Sequence, residues 1–213
     1  MPPKPKYTEQ EIAACAFEIA REEGLDAIAA RSVAKRLGTT TSPIFTCFSG
    51  MDALKAEVLD ATKRFFIGYL EECLLYEPAF KAFGLRFVRF AKEEPNLYRM
   101  LISDGVFLTD PETFIRGLWE LFGPMCAEIE KTFGLSEMEA EKLLIHMLTY
   151  ANGLAPFLQN GKMPLDEAVI GPMLSEECLA LVMLLKTRNG SMNEQMAEAF
   201  ASAGDTRPVK RPQ

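Results

Sequence analysis

The stretch RSVAKRLGTTTSPIF, residues 31–45, joins a short basic segment, a glycine, four hydroxyl residues in a row and Pro-Ile-Phe. Val33, Ala34 and Leu37 recur at helical spacing and form one apolar face. Gly38 can adopt the positive φ that a tight turn between two helices requires. The stretch therefore predicts two short helices that meet at a turn, with a small alanine where they cross.

A second short helix follows the turn, anchored by Ile44 and Phe48. Two helices connected in this way form a helix-turn-helix, whose second helix enters the major groove of DNA. Hydroxyl side chains on that helix can bond to phosphates or to base edges. The stretch therefore predicts a surface that reads DNA.

The distribution of charge supports this interpretation. The chain has a net charge of −7, yet residues 27–51 contain no Asp or Glu and carry Arg31, Lys35 and Arg36. A carboxylate facing the DNA backbone would repel its phosphates. An acid-free surface in an acidic protein is therefore expected to lie against DNA.

The rest of the chain shows helical periodicity, with no convincing alternating strand pattern. Capping boxes at Thr8–Glu11, Ser49–Asp52 and Ser136–Glu139 predict three helix starts. Thr40 is predicted to N-cap the third helix. The predicted helices span about 9–23, 30–37, 41–47, 51–76, 79–93, a short segment from 95, a segment from 110, 136–152 or beyond, 166–187 and a fragment at 193–203.

The composition argues against several other classes of protein. The chain has five scattered cysteines and a single histidine, His146, so neither a disulfide framework nor a zinc site is expected. No glycine-rich loop or carboxylate–histidine cluster supports catalysis, and no cofactor or metal is predicted. The longest apolar runs are too short to span a bilayer, and residues 1–7 are not a signal peptide. We expect a soluble, cytoplasmic protein that is not an enzyme.

The segment IAACAFEIAREEGLDAIAARSVAKRLGTTTSPIFTCFSGMDALKAEVL, residues 12–59, resembles the DNA-binding domain of TetR/AcrR-family transcriptional regulators. The residues that carry the resemblance are Gly24, Arg31, Ala34, Gly38, Phe48 and Leu54. FVRFAKEEPNLYRMLI, residues 87–102, is similar to part of some regulatory domains of the family. The resemblance implies an all-α fold and a dimeric repressor that leaves a pseudo-palindromic operator when a small molecule binds.

This resemblance predicts the organisation of the chain. Residues 1–50 would form the helix-turn-helix domain and residues 51–205 a helical ligand-binding and dimerisation domain. A long helix would join them, and residues 206–213 would be a disordered tail. DNA contacts are expected from the basic side chains and from the family's contact positions: Arg31, Lys35, Thr40, Thr41, Ser42, Phe45, Thr46, Cys47 and Lys55.

Four positions depart from the pattern of the family. Phe45 stands where a tyrosine is usual and Cys47 where a tyrosine or histidine is common, while Ala29 replaces a threonine and Met51 a lysine. Fewer side chains would then hold the DNA backbone. The alternative is therefore an all-α protein-interaction module or a regulator-like protein with weakened DNA binding.

The C-terminal part carries aromatic residues at helical spacing, as core or as the lining of an apolar pocket. The predicted ligand-binding residues are Phe83, Phe87, Phe90, Tyr98, Phe107, Phe114, Trp119, Phe122, His146 and Tyr150. The resemblance places the dimer interface on helices 136–158 and 166–187. The predicted contacts are Leu143, Met147, Leu174, Leu181 and Leu185.

Overall fold

A computed structural model describes residues 7–103, 123–159 and 167–188, and every regular element among them is helical. Nine α-helices appear in these ranges, labelled in chain order. They are α1 (Glu9–Glu23), α2 (Ala30–Leu37), α3 (Ser42–Cys47), α4 (Met51–Glu71), α5 (Ala79–Glu93), α6 (Pro95–Tyr98), α7 (123–133), α8 (Glu137–Gln159) and α9 (Glu167–Arg188). The all-α prediction is confirmed. The predicted segment from 110, the fragment at 193–203 and the tail lie outside the described residues, and the domain boundaries stay predictions.

Helix α1 begins and ends as its sequence predicts. The Thr8 hydroxyl accepts a hydrogen bond from the Glu11 N–H at 3.2 Å, and the Glu11 carboxylate accepts one from the Thr8 N–H at 2.8 Å. This capping box satisfies amides that the first helical turn leaves free. Gly24 ends the helix with a φ of 94°, a value that side chains rarely permit.

Helix α2 begins without a capping side chain at Ala29. Ser32 supplies only the reciprocal half of a capping box, because its hydroxyl oxygen accepts a hydrogen bond from the Ala29 N–H at 3.0 Å. Gly38 ends α2 in the left-handed conformation, with φ 64° and ψ 39°, and turns the chain towards α3. The predicted bounds of α2 and the role of Gly38 are confirmed.

Two predicted helix caps are wrong. Thr41, rather than Thr40, precedes α3, and its side chain makes no capping bond. Gly50, rather than Ser49, precedes α4, and a glycine has no side chain that could cap. Helix α4 also ends earlier than predicted, and a 3₁₀ turn at Glu72–Leu75 follows it.

The C-terminal core lies between α4, α5, α8 and α9. Phe66 on α4 packs against Phe90 on α5, with ring centroids 4.8 Å apart. Phe83 and Phe87 are also buried on α5, as the periodicity predicts. Helix α5 therefore contributes its aromatic face to the centre of this part of the molecule.

Helix α1 connects the N-terminal helices to the rest of the chain. It packs against α2, α3, α4 and α6. Arg21 on α1 is paired with Glu94 at the end of α5, and the Asn96 side-chain amide donates to the Arg21 and Glu22 carbonyls at 3.0 Å each. These bonds satisfy carbonyls at the end of α1 that have no partner within the helix.

One helix in the described ranges, over Ala168–Thr187, has the length and apolar composition that crossing a membrane requires, although no single apolar run in the chain is long enough. Val182 and Leu185, on its inner side, are buried in the core beside α5 and α8. This packing is also typical of a core helix in a helical bundle.

Candidate nucleic-acid interface and effector cavity

The outward side of α3 consists of Ser42, Phe45 and Thr46. These residues occupy positions i, i+3 and i+4, which lie on one side of a helix, and all three are exposed. The Phe45 ring is 53% exposed, whereas Ile44 on the opposite side is fully buried. We call these three residues the α3 face. It offers two hydroxyls and an aromatic ring to solvent.

The threonines around this face have different surroundings. Thr40 is exposed, and Thr41 is half-buried in front of the helix. The Thr46 hydroxyl donates to the Ser42 carbonyl at 3.0 Å, within its own helix. Thr46 therefore presents its methyl group and its oxygen lone pairs to a ligand, while its proton is already engaged.

Cys47 was predicted as a DNA contact, but it does not belong to the α3 face. It is half-buried, and its Sγ lies 3.8 Å from the Tyr7 carbonyl oxygen. The Tyr7 hydroxyl in turn donates to the Leu37 carbonyl at 2.5 Å. Tyr7 thus ties the start of the chain to the end of α2 and to α3. Sequence reasoning missed this role because the partners are 30 and 40 residues away.

Arg31 and Lys35 supply the positive charge beside the α3 face. Both are exposed on α2, and neither has an ion-pair partner within the described part of the chain. Lys55, on α4, is half-buried. Arg31 and Lys35 are therefore accessible to an anion from solvent.

Arg36, the third cation of this region, forms an ion pair within the protein. Its guanidinium donates to both carboxylate oxygens of Glu22 on α1, at 2.5 and 2.6 Å. The hydrogen bonds to Arg36 lower the pKa of Glu22, and those to Glu22 raise the pKa of Arg36. The Glu22 carboxylate beside α2 is therefore neutralised by a cation of the protein itself.

A cavity of about 280 Å³ lies between α5, α7, α8 and α9, and we call it the effector cavity. Phe83 is the only predicted ligand-binding residue among its described lining residues. Met147 and Leu174, which were predicted at the dimer interface, also line it. The described lining residues are Pro78, Phe80, Lys81, Phe83, Gly84, Glu128, Thr132, Phe133, Met147, Leu148, Ala151, Leu174, Ser175, Cys178 and Leu179.

The other predicted ligand residues within the described ranges do not line this cavity. Phe87 and Phe90 fill the core, and the Tyr98 hydroxyl donates to the Asn152 side chain. Burial raises the pKa of Tyr98 to about 12. His146 is exposed on α8 and Tyr150 is half-buried there. Four more predicted residues lie outside the described ranges: Phe107, Phe114, Trp119 and Phe122.

Four of the predicted dimer contacts are buried within the single chain. Leu143, Met147, Leu174 and Leu185 have at most 7% exposure, and only Leu181 is partly exposed. A fully buried side chain such as Leu143 has no surface left for a second chain. The large apolar residues that these two helices expose are Met138, Ile145, Phe157, Val169, Leu179, Met183 and Leu184.

Comparison with known proteins shows what this architecture resembles. No protein-family model and no curated protein matches the sequence. Among solved structures, a transcriptional regulator of the TetR/AcrR family from Thermobifida fusca YX-ER1 superposes with a TM-score of 0.57 at 14% identity. The match covers 82% of this chain and 96% of that one. A transcriptional regulator from Rhodococcus sp. Rha1 gives a TM-score of 0.46 at 18% identity, over 84% of this chain and 96% of that one. The match to the Thermobifida fusca regulator shows that this chain has the same fold.

Proposed function

We propose that this chain, which has the fold of TetR/AcrR-family regulators, is a DNA-binding transcriptional regulator. The observation that carries the proposal is the α3 face of Ser42, Phe45 and Thr46 beside Arg31 and Lys35, exposed cations without an ion-pair partner in the described ranges. Hydroxyls and an apolar ring on the second helix of a helix-turn-helix suit base edges and thymine methyl groups. Exposed cations on α2, the first helix of the helix-turn-helix, suit phosphates.

The proposal includes a homodimer. Exposed apolar residues on α8 and α9, such as Ile145, Leu179 and Met183, support an interface between two copies of the chain. A two-fold axis would present two α3 faces to successive turns of the major groove. The operator would then be pseudo-palindromic.

We further propose that a small molecule in the effector cavity regulates DNA binding, most simply as the inducer of a cytoplasmic repressor. The ligand would favour a dimer whose two α3 helices are wrongly spaced for adjacent major grooves. Operator affinity would fall while the dimer persists. Monomers formed on addition of ligand in a sedimentation experiment would contradict this mechanism.

The test of DNA binding is a fluorescence anisotropy titration of the full-length protein against mixed genomic fragments at several salt concentrations. A regulator binds DNA with an affinity that falls steeply as salt rises, because its cations displace counterions from the phosphates. Absence of binding at low salt would overturn the proposal.

A second candidate function is supported by three positions on or near the α3 face that offer no hydroxyl to DNA. Phe45 has no hydroxyl, Cys47 turns towards Tyr7, and Met51 is half-buried at the start of α4. These features favour a regulator-like protein with weakened DNA binding, or an all-α interaction module. A shallow salt dependence and no preference among DNA sequences would favour this candidate.

A further inference from the structure

We infer that the effector cavity binds a neutral, apolar molecule of about eleven non-hydrogen atoms, with any polar group of that molecule at the opening. The regulatory consequence of this binding rests on the proposed function. The binding itself rests on the chemistry of the cavity wall and on its volume.

The polar side chains of the described wall are already engaged or lie at its rim. Glu128 accepts a hydrogen bond from the Phe80 N–H at 2.7 Å, at the start of α5, and the Ser175 hydroxyl donates to the Gly171 carbonyl at 2.9 Å. Lys81 and Thr132 are exposed and therefore mark the opening. Within the described ranges, no buried side-chain nitrogen or oxygen lacks a partner.

This distribution favours an uncharged ligand. An ion that entered the cavity would lose its hydration, and the inner wall of Phe83, Met147, Ala151 and Leu174 offers it no compensating bond. The charge of Lys81, exposed at the opening, is balanced by the opposite charge of Glu128, which is half-buried in the same wall. Neither an anion nor a cation is therefore favoured there.

The volume limits the size of the ligand. A dry apolar cavity of about 150 Å³ holds benzene, which has six non-hydrogen atoms. By simple proportion, a cavity of about 280 Å³ holds about eleven. Phe80 and Phe133 meet edge to face at 6.3 Å in its wall, and Met147 adds a flexible thioether. Such walls adapt to aliphatic chains and to fused rings.

The test uses three molecules of similar length and different charge, which are 1-decanol, decanoate and decylammonium. Each is titrated into the full-length protein by calorimetry, below its aggregation concentration. We expect 1-decanol to bind at least about tenfold more tightly than either ion. Along the 1-alkanols, affinity should rise about fourfold per methylene and level off near decanol, where the cavity is full.

Two variants assign the binding to the cavity. Ala151→Phe places a ring at a lining position and should weaken 1-decanol binding at least tenfold, whereas Ala127→Phe, at an exposed position of α7, should leave it unchanged. Met147→Ala enlarges the cavity, so the optimum should move to a longer alkanol. Tighter binding of decanoate that is lost in Lys81→Met would overturn the inference, and so would equal 1-decanol affinity in the Ala151→Phe and Ala127→Phe proteins.

A separate titration keeps this inference distinct from the proposed function. Operator affinity is measured by anisotropy with and without saturating 1-decanol. If the calorimetric pattern holds and DNA affinity does not change, the cavity chemistry stands and the regulatory proposal fails. If the ions bind as well as the alcohol, the ligand class is wrong, whatever the DNA result.

Discussion

Arg21 and Glu94 form a two-pronged ion pair although they are 73 residues apart in sequence. The Arg21 Nε lies 2.8 and 3.1 Å from the two carboxylate oxygens of Glu94, and the Glu94 side chain is 11% exposed. The guanidinium also lies 5.3 Å from the centre of the Phe65 ring. The pair fixes α1, which supports the proposed DNA surface, to the C-terminal end of α5, whose N-terminal turns line the effector cavity.

Breaking this pair should destabilise the protein. Glu94→Gln keeps the shape of the side chain but leaves the Arg21 charge with only Glu18, 3.9 Å away, so we expect a loss of about 1–2 kcal/mol in the free energy of unfolding by urea. Arg64→Gln is the control, because Arg64 is 65% exposed in its pair with Glu57. The loss of unfolding free energy in Arg64→Gln should stay below about 0.5 kcal/mol. Equal losses in the two variants would show that the Arg21–Glu94 pair stabilises the fold no more than an exposed ion pair does.

The Phe45 ring gives a prediction about DNA affinity. Phe45→Tyr adds a hydroxyl to a ring that is already exposed, so DNA affinity should rise severalfold while the urea midpoint stays the same. Phe45→Ala should weaken binding, because the ring contact is lost. Anisotropy titrations measure both effects. Unchanged affinity in both variants would remove Phe45 from the interface.

Met183 gives a prediction about assembly. It is 68% exposed on α9, and Met183→Glu places a charge on the proposed interface. Sedimentation equilibrium should show a dimer for the unmodified protein and monomers for the variant. Leu75→Glu is the control, since Leu75 is 82% exposed on the turn after α4. A Met183→Glu protein that remains dimeric would place the interface elsewhere.

The buried thiols give a prediction about pH. Burial raises the pKa of Cys73, Cys126 and Cys178 to about 11, so at pH 8 about one thiol in a thousand is a thiolate. Their reaction with a disulfide reagent should accelerate about tenfold per pH unit from pH 8 towards 11, as long as the fold persists. Peptide mass spectrometry follows each site.

Occupancy of the cavity adds an internal comparison to this experiment. Cys178 lines the effector cavity and Cys73 does not. Saturating 1-decanol should therefore slow the modification of Cys178 and leave that of Cys73 unchanged. Equal slowing at both sites would indicate a general stabilisation of the fold instead of local occupancy.

The features that follow from local chemistry were predictable from sequence. The Thr8–Glu11 capping box, Gly24 and Gly38 act on neighbouring residues, so their spacing is sufficient to locate α1 and α2. The hydrogen bond from the Ala29 N–H to the Ser32 hydroxyl is also local, but it depends on a side chain that reaches back to the start of its own helix.

The cavity and the exposed apolar faces were not predictable in the same way. Leu143 and Ile145 lie on the same helix, and periodicity does not tell which one meets α5 and which meets solvent. That outcome depends on how α5, α8 and α9 pack together. The Arg21–Glu94 pair was not predictable for the same reason. In the sequence, each is an ordinary charged residue, and only the fold brings the two together.

The most direct test of the central claim, that α3 meets DNA, is the effect of a negative charge on its outer face. Ser42→Asp changes an exposed residue at the first position of α3, where the helix dipole favours a carboxylate, so the urea midpoint should not fall. Anisotropy at low salt should show tight binding for the unmodified protein and at least about a hundredfold loss for the variant, because the carboxylate faces the phosphates. A Ser42→Asp protein that binds DNA as tightly as the unmodified chain would contradict the account.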